Sequence, residues 1–177
     1  MKGHLCLLGL LVLLLSSGCF GGGDNFNDPT AVVSSKDSAQ QIALEISAEN
    51  LAAASSYIHD NFLLDPAVAQ KFDVGEFEGQ GPDAFLEFFQ RVLDKYGNVE
   101  LVISFVWSET EGGQVLLHTL VEFSGNNGNS LPHEEISFVE NDLLTFEWNG
   151  TVYALIGWEE DPNPNPPPHN EGGGSTF

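Results

Sequence analysis

The hydrophobic period of the chain changes at Gly97, and this change limits the possible folds more than any other feature. Before it, Ala84–Tyr96 carries apolar residues at helical spacing, and Gly97 stands where a helix C-terminal cap belongs. After it, Val99–Trp107 alternates with a period of two residues, as a strand does. Helices followed by a run of strands predict an α+β domain rather than alternating βαβ units.

Two more helices are predicted before this point, and a less regular segment follows them. Ser38-Ala39-Gln40-Gln41 has the spacing of a capping box and begins the first helix, which ends near Ala48. Leu51–Ile58 is rich in alanine and predicts the second helix. Thr30–Lys36 is predicted to be polar linker. Asn61–Gly81 is predicted to be a long, irregular and packed segment, and short strands within it are an alternative.

The second half of the chain has the pattern of a β-sheet. Its strand-like segments are bounded by turn residues, and they are Val99–Trp107, Gln114–Phe123, Glu134–Val139, Leu143–Trp148 and Thr151–Trp158. Asn149-Gly150 is the strongest hairpin signal, because both turn positions need positive φ. We therefore expect three N-terminal helices packed on an antiparallel sheet.

The N-terminal leader predicts where the protein works. Lys2 precedes an unbroken apolar run of about eleven residues, which is roughly half the length of a membrane-spanning helix. Small residues then lead directly into Cys19. This layout resembles a bacterial lipoprotein signal peptide, which implies lipid attachment at Cys19 and a membrane anchor. Because Phe20 is not Asp, the resemblance also implies sorting to the outer membrane of a two-membraned bacterium. Ordinary secretion with a free Cys19 is the alternative.

The domain organisation follows from this leader. Residues 1–18 are the predicted signal peptide, and 19–36 form the lipid anchor and a flexible tether. A single domain at 37–161 has a size typical of one hydrophobic core. The sequence from Glu159 onward becomes acidic and then rich in Pro and Gly, and 162–177 is predicted to be a disordered tail.

Charge and cysteine content exclude several functions. The chain has 5 basic and 26 acidic residues, for a formal net charge of -21. Such a surface repels nucleic acid, so we expect no nucleic-acid partner. Cys6 lies in the leader, which leaves only Cys19 in the mature chain. An intramolecular disulfide, a catalytic thiol and a cysteine-based metal site are therefore excluded, and no cofactor or metal is expected.

The order of elements resembles the nuclear-transport-factor-2-like superfamily, also described as cystatin-like, over about Gln40 to Trp158. The similarity rests on Ala43–Leu64, on Gly81–Phe89 and on Leu144–Trp158. It implies a curved sheet that wraps three helices into a cone. Members of the superfamily include isomerases, cyclases and dehydratases, as well as many domains without chemistry. The aspartate base and tyrosine donor of the ketosteroid-isomerase members have no matching motif here.

Five residues are candidates for a pocket, namely His118, Glu122, Trp107, Tyr57 and Asp60. If their strand face is the concave one, His118 and Glu122 could act as an acid–base pair at the mouth of a cavity. Residues four apart on a strand lie about 13 Å apart, so a ligand would have to bridge them. The alternative is a structural histidine on the convex face. An outward His118 would exclude it as the acid–base residue of an enzyme.

Apolar residues also occupy the second face of two predicted strands, namely Val102, Val106, Leu116 and Leu120. A half-exposed sheet is usually polar on one face. We expect a homodimer to cover this face, with the C-terminal tail as the alternative cover. The first hypothesis for function is a non-catalytic module of the cell envelope that binds a small apolar ligand or docks an envelope protein. An acid–base enzyme with its site inside the cone is the second hypothesis, and a passive spacer is the third.

Overall fold

The computed structural model describes residues 28–127 and 134–166. The leader, residues 19–27 of the predicted anchor and tether, and the tail beyond 166 lie outside the described residues. Lipid attachment at Cys19 therefore stays a prediction. Among the helices of the described ranges, none is both long enough and apolar enough to cross a membrane.

Four α-helices form the helical part of the domain. They are α1 (Pro29–Ser47), α2 (Leu51–Ala54), α3 (Pro66–Lys71) and α4 (Gly81–Tyr96), with a 3-10 turn at Ser55–Tyr57 after α2. The prediction for α4 is confirmed, and Gly97 ends it with a positive φ of 54°. The prediction that Thr30–Lys36 is a linker is wrong, because α1 already begins at Pro29.

The early start of α1 has a local cause. Asp28 caps the helix, since its Oδ1 accepts a hydrogen bond from the Thr30 N–H at 2.9 Å. Pro29 occupies the first helical position, where its missing N–H costs nothing. Ala31, Val32 and Ser35 are then buried against the domain. The folded domain therefore begins near residue 29 rather than 37.

Residues 58–64 form a strand where a helix end and an irregular segment were predicted. The sheet has five strands, which are β1 (Ile58–Leu64), β2 (Glu100–Glu111), β3 (Gln114–Asn126), β4 (Glu135–Trp148) and β5 (Tyr153–Glu160). Their order is β1-β5-β4-β3-β2. β1 runs parallel to β5, and the other pairs are antiparallel. The curved sheet is thus mixed rather than wholly antiparallel.

Two of the strand predictions need correction, and the hairpin lies where it was predicted but has a longer turn. The predicted segments Glu134–Val139 and Leu143–Trp148 belong to the single long strand β4. β5 extends through Glu159 and Glu160, which were assigned to the low-complexity end. Residues 149–152 join β4 to β5, and of the two predicted turn residues only Gly150 has a positive φ, at 100°.

The interior of the cone is filled with aromatic rings. Phe72 is fully buried just after α3, and its ring contacts five other rings from α4 and the sheet, at centroid distances from 4.7 Å to 6.3 Å. These rings belong to Phe88, Phe89, Phe123, Phe138 and Trp158. Edge-to-face pairs of this kind add to the stability gained by burying the rings. The space between helices and sheet is therefore packed core at this level of the cone.

Candidate functional site

His118 lies on the face of the sheet that is turned away from the helices, which we call the outer face. Its neighbours Leu117 and Thr119 are buried on the opposite, helix-facing side, and side chains alternate along a strand. His118 pairs across the sheet with Trp107 on β2 and Leu143 on β4. The prediction that His118 acts as an acid–base residue inside the cone is therefore wrong.

Several groups nevertheless bury His118. The imidazole stacks on the indole of Trp107, and its Nδ1 lies 2.8 Å from Oδ2 of Asp161. Glu109 Oε1 lies 3.5 Å from the other ring nitrogen. The Asp161 N–H donates to the carbonyl of Asn141, so the chain immediately after β5 is held against the outer face. The start of the C-terminal segment thus covers His118 on the outer face.

The remaining predicted pocket residues are not brought together with His118. Glu122 is exposed on the outer face between Val102 and Val139. Tyr57 lines a separate depression of about 350 Å³, next to Trp148 and Tyr153.

Asp60 is exposed on β1. A Cβ added to Gly81 would lie 2.8 Å from the carbonyl oxygen of Asp60, so the backbones of β1 and α4 approach closely there. No common pocket unites the five candidates within the described residues.

A groove of about 550 Å³ lies at the end of β1 and was not predicted. It is bounded by the ends of β1 and β5, by the start of α3 and by the loop before α4. Its walls are mainly apolar, and the lining residues that supply them are Leu63, Leu64, Pro66, Phe77, Ile156 and Trp158. Leu63, one of these lining residues, leaves 57% of its surface exposed. This exposed apolar concavity has the size and lining of a small-molecule site.

Two glycines shape the groove. A Cβ on Gly79 would lie 2.7 Å from the Cβ of Ala84, so only glycine lets the loop approach α4 this closely. At Gly157 the nearest atom to an added Cβ is the Cβ of Thr145 at 3.6 Å, an ordinary contact. A side chain at position 157 would therefore fit the backbone and occupy space beside Thr145, in the groove.

Carboxylates supply the charge of the groove. Asp65, Glu78 and Glu159 line it, and none of its described lining residues is basic. Asp65 is the N-cap of α3, where its Oδ1 accepts a hydrogen bond from the Ala67 N–H at 2.6 Å. Glu78 and Glu159 are exposed at the rim.

A buried acidic residue, Asp142, lies on the helix-facing side of β4 and was also missed. Its Oδ2 accepts a hydrogen bond from the Trp158 indole N–H at 2.8 Å. Its Oδ1 lies 3.6 Å from the Lys71 ammonium, which also contacts Glu160 at 3.1 Å and Glu140 at 3.7 Å. Burial raises the pKa of the Asp142 carboxyl, against the opposing effects of the Trp158 hydrogen bond and the Lys71 charge.

The same cluster shifts the pKa of Lys71 upward. Burial alone would lower the pKa of this ammonium, but the hydrogen bond to Glu160 and the charges of Asp142 and Glu140 outweigh burial. Trp158 connects this cluster to the groove, because it donates to Asp142 and also lines the groove wall. Within the described residues, no group of three or more His, Cys, Asp or Glu side chains has the arrangement of a metal site.

No protein-family model matches the chain, and no curated protein does. Solved structures do match. A candidate aromatic ring hydroxylase from Novosphingobium aromaticivorans has a TM-score of 0.63 at 12% identity, over 75% of this chain and 89% of that one.

A protein of unknown function with a cystatin-like fold, from Nostoc punctiforme, is also similar. Its TM-score is 0.54 at 11% identity, over 74% of this chain and 91% of that one. A chain named as an NTF2 variant has a TM-score of 0.50 at 11% identity, over 73% of this chain and 99% of that one. Likeness at such low identity establishes architecture and leaves activity open. The chain has the cone-shaped α+β fold of cystatin-like and nuclear-transport-factor-2-like proteins.

Proposed function

We propose that this protein is a lipoprotein of the cell envelope whose domain binds a small ligand without catalysing a reaction. The ligand lies in the groove at the end of β1. The observation that carries the proposal is the apolar groove of about 550 Å³, left open at the edge of a domain whose cone is filled around Phe72 by the rings of its neighbours. Sites of this volume and lining suit a ligand of drug-like size.

The packing inside the cone favours binding over catalysis. An acid–base enzyme needs its proton-transferring group within hydrogen-bond reach of a bound substrate. The side chain of Asp142 is fully buried, and Trp158 and Lys71 already surround it. His118, the other candidate, lies on the outer face. The described lining residues of the groove bring together apolar side chains and carboxylates, and none of them forms a nucleophile–base pair.

Cys19 supplies the anchor in this proposal. Two or more acyl chains on one residue give lasting attachment to a bilayer, whereas a single chain is marginal. We place the protein at the outer membrane of a two-membraned bacterium, because Phe20 rather than Asp follows Cys19. Exposed apolar residues on the outer face, Val102, Val106 and Val139, support a homodimer or an envelope protein docked there.

Native mass spectrometry tests ligand binding. The full chain, extracted gently from its own membranes, should carry a defined extra mass that is released on denaturation. Gly157→Leu should abolish the extra mass, since the added side chain would occupy the groove beside Thr145. Gly157→Ala adds only a Cβ with ordinary contacts and serves as the matched control. An extra mass that persists in folded Gly157→Leu protein would contradict binding in this groove.

The alternative function is a general acid–base enzyme that uses Asp142. The raised pKa of its buried carboxyl favours this alternative, because such groups are common at catalytic sites. Small molecules extracted from the source organism can be incubated with the protein and followed for consumption. Turnover that disappears in Asp142→Asn but persists in Gly157→Leu would support the enzyme and overturn the binding proposal.

A further inference from the structure

We propose that the ligand of the groove is an organic cation, an amine with an apolar body. This inference rests on the proposed function, because it names the chemical class of the ligand that the same groove would hold. It combines the charge of the groove rim with the apolar character of its walls.

The rim carries negative charge without a matching cation. In residues 28–127 and 134–166, Glu78 and Glu159 form no ion pair, although both line the groove. Lys71, the cation of α3, is held by Glu140, Asp142 and Glu160, none of which lines the groove. A ligand ammonium would supply the counter-charge that the protein does not.

The walls require an apolar body behind that charge. Phe77, Ile156 and the partly exposed Leu63 form surface that gains free energy when a ligand removes it from water. The Arg91 guanidinium already lies over the Phe77 ring, 5.7 Å from its centroid, so the rim carboxylates rather than this ring would select for a cation. A small hydrated cation would leave this apolar surface wet, and an anionic ligand would meet the rim carboxylates and the net charge of -21.

The contribution of charge is modest because the two glutamates are exposed. An exposed ion pair contributes little to affinity, and salt reduces its contribution further. Two such pairs correspond to a preference of about fivefold for a cationic over a neutral ligand of the same shape. The apolar walls, which are common to both ligands, would supply most of the affinity.

Three probes of matched shape separate these contributions. Adamantylamine, adamantanol and adamantanecarboxylate differ in charge and share one apolar cage. Each is titrated into the full chain in a mild detergent, with a blank titration into detergent alone, and binding is measured by calorimetry at low and high salt. We expect the amine to bind about fivefold tighter than the alcohol at low salt, with the advantage falling at high salt. The carboxylate should bind weakest.

Isosteric variants test whether the rim glutamates cause the preference for the amine over the alcohol. The double variant Glu78→Gln/Glu159→Gln should bind amine and alcohol equally while leaving the affinity for the alcohol unchanged. The matched control is Glu100→Gln/Glu111→Gln, which removes two exposed charges from β2 at the opposite edge of the sheet and should keep the preference.

The outcomes distinguish this inference from the proposed function. Equal binding of amine and alcohol to the unaltered protein, abolished by Gly157→Leu, would overturn the cation assignment and leave the groove as a ligand site. A preference that survives in Glu78→Gln/Glu159→Gln would also overturn it. Probe binding that Gly157→Leu leaves unchanged would instead contradict the proposed groove.

Discussion

The imidazole of His118 lies flat on the indole of Trp107, with ring centroids 3.5 Å apart and planes only 8° from parallel. Asp161 holds the edge of the same imidazole through a contact of 2.8 Å, and the side chains of His118 and Asp161 are 3% and 1% exposed. This stack ties β2, β3 and the chain that leaves β5 into one unit on the outer face. These contacts give His118 a structural role, which is the alternative stated for it in the sequence analysis.

We expect Asp161→Ala to lower the free energy of unfolding by about 2 kcal/mol, because it removes a buried hydrogen bond to a charged group. The amide of residue 161, which donates to Asn141, should also exchange faster with solvent. Denaturant unfolding and hydrogen exchange measure the two effects. Glu111→Ala, an exposed acid at the end of β2, is the control. Equal stability of the two variants would show that Asp161 does not hold the C-terminal segment.

Lys71→Met should destabilise the domain by about 1–3 kcal/mol, since it leaves Asp142 buried without its counter-charge. Lys71 has a side chain that is only 15% exposed, so solvent screens its charge little. Arg91→Met is the matched control. Its ion pair with Glu87 lies on the surface of α4, where such pairs contribute about 0.5 kcal/mol. Chemical denaturation of both variants measures the difference, and an equal loss would contradict a special role for the Lys71–Asp142 pair.

The raised pKa of Asp142 fixes the sign of a pH dependence. Because the folded pKa lies above the ordinary value of 3.8, the folded state holds the proton to higher pH than the unfolded chain does. The contribution of this group to stability is therefore greatest below pH 3.8 and declines as the pH rises through the folded pKa. Asp142→Asn should remove this declining contribution from the curve of unfolding free energy against pH. Parallel curves for both proteins across that range would contradict the raised pKa.

Local signals in the sequence identified the fold class but not where every element begins. The Asp28-Pro29 pair is a standard helix start, yet the Thr, Ser and Lys residues of segment 30–36 suggested a polar linker despite the apolar residues among them. The burial of Ala31 and Val32 depends on packing that no local pattern reveals. β1 was missed because it pairs in parallel with β5, and that partner lies almost a hundred residues away, by the register of Ile58 with Leu155.

The site was harder to predict than the fold, because it too depends on contacts between residues that are far apart in the sequence. The groove forms only where the ends of β1 and β5 meet the start of α3 and the loop at Gly79. Asp142 interrupts an apolar pattern, so its segment suggested a break between two strands. Its position opposite Thr119 on the helix-facing side follows from the register of β3 with β4, which no local pattern reveals. Trp158 was correctly placed in a closing strand, but its hydrogen bond to Asp142 required the register of β4 with β5.

Replacing Cys19 with Ser should move the protein from the membrane fraction to the soluble fraction of the envelope, because thioether lipidation needs the sulfur. Fractionation and mass spectrometry of the mature N-terminus measure this. Cys6→Ser, which alters the other cysteine within the leader, is the control and should stay membrane-bound. A Cys19→Ser protein that keeps its membrane association after cleavage of the leader would contradict the anchor.

A crystal structure of the full chain purified from its own membranes tests the central claim most directly. The account predicts ligand density in the groove between Phe77 and Ile156, and none there in Gly157→Leu crystals. Density inside the cone beside Asp142, with the groove empty, would contradict the account and favour the enzyme instead.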